Sequence, residues 1–73
     1  MSDYKYLLKQ TYETEHNLLD QYRKELGDLE NNTGLATEMS KDQIEYWKVQ
    51  LKQRILAKEK ELIEMQKELY EEV

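Results

Sequence analysis

The only histidine of this 73-residue chain, His16, stands three residues after Glu13. On a helix, a Glu-x-x-His spacing sets both side chains on one face, as in carboxylate-bridged metal bundles. Such a centre needs further inward-facing glutamates. Here Glu13 and His16 fall well off the apolar stripe described below, and no core glutamates complete a set. The residues therefore point to a surface histidine, with no metal and no cofactor. One histidine and a few Ser and Thr cannot supply nucleophile, base and orienter together. There is no glycine-rich phosphate loop. Cysteine is absent, which excludes disulfides and thiolate sites. The chain reads as a non-enzyme.

The elements that would position any surface chemistry are helices. Ala, Glu, Lys, Leu and Arg make up 36 of the 73 residues, the composition of long helices or coiled coils, and proline is absent. A chain of this length forms one small domain, residues 1–73, with no room for a nucleotide fold or a deep catalytic cleft. No apolar run exceeds three residues, so no signal peptide or membrane span is expected. With Met1 at the start and no export signal, the expectation is a complete cytoplasmic protein without membrane contact.

One break divides the chain. Asn31-Asn32-Thr33-Gly34-Leu35 reads as a helix C-terminus, with Gly34 left-handed and Leu35 folding back on the last turn. Met39-Ser40-Lys41-Asp42-Gln43-Ile44 reads as a helix start. Ser40 and Gln43 form a capping box, while Met39 and Ile44 form a hydrophobic staple. This predicts helices over about 3–33 and 40–72, joined by a turn at 34–39.

The first helix carries a stripe at Tyr4, Leu8, Thr11, Glu15, Leu18, Tyr22, Leu26 and Leu29. The second carries Ile44, Trp47, Leu51, Ile55, Lys58, Leu62, Met65 and Leu69. Read in opposite directions the spacings are identical, so folding at the break sets residue i opposite residue 73 − i. The predicted fold is an all-α antiparallel two-helix hairpin. In it the charged interruptions, Glu15 and Lys58, share one layer as a buried polar pair.

A second apolar series runs along helix 2 at Val49, Leu56, Ile63 and Tyr70, seven residues apart. Helix 1 offers a matching shoulder at Tyr12, Leu19 and Leu26. Together these predict one apolar broad side that seats a second copy, making a homodimeric four-helix bundle. The self-association seam is then Tyr12, Leu19, Val49, Leu56, Ile63 and Tyr70.

Tyr6 and Tyr46 fall outside both series, and Lys48 and Lys52 lie on one edge of helix 2. These four residues are the candidates for contact with an unidentified protein partner. The expected role is non-enzymatic: an adaptor, assembly factor or small regulator acting through protein–protein contact. The alternative is a nucleic-acid-linked regulator, either an RNA-binding hairpin dimer or an acidic inhibitor of a DNA-binding protein. A net charge of −5 makes a poor footprint for RNA. It fits the sign of the acidic inhibitor, but the carboxylates are interleaved with lysines instead of forming a phosphate-like row.

Overall fold

A computed structural model describes residues 2–70. Two α-helices, α1 (Ser2–Asn31) and α2 (Lys41–Tyr70), flank a short 3₁₀ helix at Gly34–Glu38. Each α-helix has 30 residues and is about 45 Å long. They lie antiparallel in a hairpin of 51 × 17 × 13 Å. Its radius of gyration is 16.0 Å, against about 11 Å for a compact globule of this length, so the molecule is a rod.

The break is built as the residue types demand, with one shift of position. α1 ends at Asn31, and Asn32 takes the left-handed conformation at φ 54°. The Thr33 amide donates to the Asp28 carbonyl at 2.9 Å, which makes Asn32 the C′ residue of a Schellman turn. The Thr33 hydroxyl also donates to Asp28 Oδ1 at 2.8 Å. Gly34 is left-handed too, at φ 59°, but it opens the 3₁₀ helix rather than ending α1. Leu35 does not fold back. It is 80% exposed, and Ala36 takes the buried place under the turn.

The start of α2 matches the expected motif. The Gln43 amide donates to Ser40 Oγ at 3.2 Å, and the Ser40 amide donates to Gln43 Oε1 at 2.9 Å. Met39 and Ile44 pack together against Leu29, Ala36 and Leu51. The predicted end of helix 2 at residue 72 lies outside the described residues.

The helices meet along a seven-residue repeat. On α1 the inward positions are Leu8, Tyr12, Glu15, Leu19, Tyr22, Leu26 and Leu29. On α2 they are Ile44, Lys48, Leu51, Ile55, Lys58, Leu62, Met65 and Leu69. Steps of four and three alternate throughout, the spacing that keeps a seam facing its partner. This corrects the expected stripe at four places, the first of them Tyr4, which is 56% exposed. Thr11 is exposed and bonds back to the Leu7 carbonyl, Leu19 rather than Leu18 is the buried residue, and Trp47 remains 40% exposed beside an inward Lys48.

Across the ladder, Lys58 Nζ donates to Glu15 Oε2 as expected. Tyr4 Oη donates to Glu68 Oε1 near the open end. Lys5 Nζ reaches the Leu69 carbonyl at 3.2 Å and so supplies a cation to the last turn of the opposite helix. Arg23 pairs with Glu59 at 2.7 Å on one flank. On the other, the Arg54 guanidinium lies 6.0 Å from the Tyr22 ring and 5.8 Å from the Trp47 ring, bridging both helices.

Candidate functional site

The chemistry-bearing residues do not converge. His16 is about half exposed, with Nδ1 3.5 Å from Asp20 and its ring 6.0 Å from that of Tyr12. Among the described residues, no three His, Asp or Glu side chains gather where they could hold a metal ion. No described helix is long and apolar enough to cross a membrane.

The apolar surface is better organised. Val49, Leu56, Ile63 and Tyr70 are 50%, 68%, 55% and 76% exposed. Seven-residue spacing aligns them in one column, about 31 Å long, on a face of α2 turned away from α1. The other half of the expected seam is largely withdrawn from that surface. Leu19 is only 3% exposed and belongs to the core between the helices. Tyr12 is half-buried at the same seam. The reason is the heptad register: positions 12 and 19 continue the 8–12–15–19–22 repeat, so they point at α2 and not sideways.

With the shoulder of α1 turned inward, its side of this face presents Glu13, Asp20 and Arg23. Tyr6, 62% exposed, is the aromatic exception. It lines a cleft of about 470 Å³ at the open end, together with Tyr12, Tyr70, Lys5 and Lys9. The structure thus brings Tyr6, a proposed partner contact, alongside Tyr70 at the end of the column. The mirrored spacing already brings the two chain ends together; it did not show that Tyr6, outside both series, joins Tyr12 and Tyr70 there.

Tyr46 and Trp47 stack edge to face, 5.3 Å between centroids, near the turn. Lys48 is half-buried and 3.5 Å from Glu45, whereas Lys52 is exposed. Trp47 also borders an apolar cavity beneath the 3₁₀ helix, which sequence reasoning missed. Its walls come from three elements that only the folded turn assembles.

The site and its scaffold define an all-helical antiparallel hairpin with two exposed apolar features. Compared with known proteins, the chain matches no family model, no curated protein and no solved structure.

Proposed function

We propose that this protein is a non-enzymatic interaction module that pairs with a second copy through the outer face of α2. The carrying observation is the exposed column Val49, Leu56, Ile63 and Tyr70. Its strict repeat matches that of the core, so a second helix can follow it along its whole length. Four large apolar side chains in one line are more than scattered surface residues account for.

The balance of surface supports this reading. Only Leu19, Leu29, Ala36, Leu51 and Leu62 are buried apolar residues among those described. A globular monomer of 8.9 kDa exposes about 4,800 Å² by the scaling of area with mass. This rod exposes 5930 Å², and the excess is of the order of one partner's share in a specific interface, about 800 Å². A two-fold axis makes such a contact self-complementary. The polar flank of α1 narrows the expected bundle: helix 2 meets helix 2, with the α1 helices outside. An antiparallel pairing sets the basic stretch 48–60 against the acidic stretch that follows it.

Sedimentation equilibrium tests the proposal. At micromolar concentration the expected mass is twice that of the chain, and Ile63→Asp returns it to the monomer with helicity retained. A wild-type chain that stays monomeric towards millimolar concentration overturns it. Such a result leaves the column for a different protein, and the role of adaptor or regulator then rests on that contact alone.

A further inference from the structure

The turn end of the hairpin holds a cavity of about 320 Å³. That is the small end of the range for ligand clefts, which starts near about 300 Å³. Leu29, Ala36, Met39 and Leu51 line it, and Leu35 and Trp47 stand at its lip. Both lip residues are large, apolar and open to water, Leu35 at 80%. Glu25 and Asp28 border it from the α1 side.

The charge around the cavity is predominantly acidic, although the Arg54 guanidinium lies 5.8 Å from the Trp47 ring. Residues 25–47 hold six carboxylates and one basic residue, Lys41. Six less one leaves a local charge of −5, equal to that of the whole chain. α1 also ends here, and its last turn contains no basic side chain. The N-terminal end of α2 lies at the same turn and offsets the dipole of α1, so the negative field comes from the carboxylates.

We propose that this cavity docks a cationic amphipathic helix of another protein. Apolar side chains at i and i+4 of that helix seat between Leu35 and Trp47, the way short helices anchor in a groove. Its Lys and Arg residues face Glu25, Asp28 and the acidic turn. Phosphate-bearing partners are repelled by the same field. The site is independent of self-association. Trp47 and Val49 are two residues apart on α2, so they point about 160° away from each other. The cavity and the outer column open on different sides of the rod.

The test uses a synthetic helix of roughly 18 residues, long enough to hold helical structure, with Leu anchors at i and i+4 and lysine elsewhere. It carries no aromatic residue, so Trp47, the only tryptophan of the chain, reports contact by its fluorescence. The expected result is a saturable blue shift at micromolar peptide that weakens with added salt. Leu35→Gln and Glu25→Lys each lower the affinity about tenfold or more, which is about the effect of losing one good contact. Both positions are exposed, so circular dichroism should be unchanged. Ile63→Asp should leave peptide binding intact. The proposal is overturned if no saturable shift occurs, if a peptide with glutamate in place of lysine binds equally, or if Leu35→Gln has no effect. It is also overturned if the shift appears on raising protein concentration without peptide, which would assign the cavity to the basic stretch of a second copy.

Discussion

Lys58 of α2 donates to Glu15 of α1 across the centre of the hairpin, 43 residues away in the chain. Their side chains are only 17% and 25% exposed, and Glu61 accepts from the same ammonium at 3.2 Å. An inward charge is tolerated when it is paired and is costly when its partner is removed. Lys58→Met leaves the Glu15 carboxylate at the seam without its cation. The expected loss is about 1–2 kcal/mol, below the range for fully buried pairs because some solvent reaches both groups. The double variant Glu15→Leu with Lys58→Met should recover most of it. Urea unfolding of the two single variants and the double variant measures the coupling as a double-mutant cycle.

The same pair and the Tyr4 contact contribute a pH-dependent part of the stability in the alkaline range. The Lys58 ammonium is held above its ordinary pKa of 10.5, first by its hydrogen bond to Glu15 and then by Glu61, with burial acting in the opposite direction. The Tyr4 hydroxyl is held above 10.0 by its hydrogen bond to Glu68, then by partial desolvation and the Glu68 charge. In both cases the folded chain keeps a proton that the unfolded chain releases. Their stabilisation is complete below pH 10 and is lost as pH rises through the raised values. The urea midpoint should fall above pH 10, and Tyr4→Phe together with Lys58→Met should flatten that part of the profile.

The turn separates two left-handed residues with different tolerances. Asn32 is the C′ residue at φ 54°, where glycine is equally at home. Asn32→Gly should change stability by less than about 1 kcal/mol. Gly34 has φ 59°, and a Cβ there would meet Asp28 Oδ2 at 3.0 Å. Gly34→Ala should therefore destabilise by about 1–2 kcal/mol. Thermal melts of the two variants, side by side, should separate them clearly.

The capping box offers a local check on the start of α2. Ser40→Ala removes the acceptor for the Gln43 amide and should lower stability by about 1 kcal/mol. Hydrogen exchange should accelerate at Gln43 and Ile44 before it does at Leu51 or Leu62, because the loss frays the first turn only.

The capping box, the antiparallel sense and the Glu15–Lys58 layer were legible in the chain, since each depends on residue type at a fixed spacing. The choice between neighbours was not. Leu18 and Leu19, or Trp47 and Lys48, differ by about 100° around a helix, and hydrophobicity alone cannot say which faces inward. The facing helix decides. A seven-residue repeat through Glu15 and Tyr22 selects Tyr12 and Leu19, even though the repeat in α2 then has to admit Lys48. The cavity at the turn was illegible for a related reason. It depends on whether Leu35 or Ala36 goes inward, and the 3₁₀ geometry settles that in favour of the smaller residue.

Leu19 and Leu56 carry the same side chain and make opposite predictions. Leu19 lies in the core at 3% exposure, whereas Leu56 stands on the outer column at 68%. Leu19→Ala should remove about 2–4 kcal/mol at any protein concentration, because its contacts are within one chain. Leu56→Asp should leave the isolated hairpin nearly unchanged. If α2 pairs with a second copy, the wild-type melting temperature rises with protein concentration by mass action. Leu56→Asp should abolish that rise, while Leu19→Ala should lower the whole curve and keep its slope. Calorimetry over a hundredfold range of concentration distinguishes the two. A flat wild-type curve would place the column outside any self-contact, and a concentration dependence lost in Leu19→Ala but kept in Leu56→Asp would reverse the assignment of inner and outer faces.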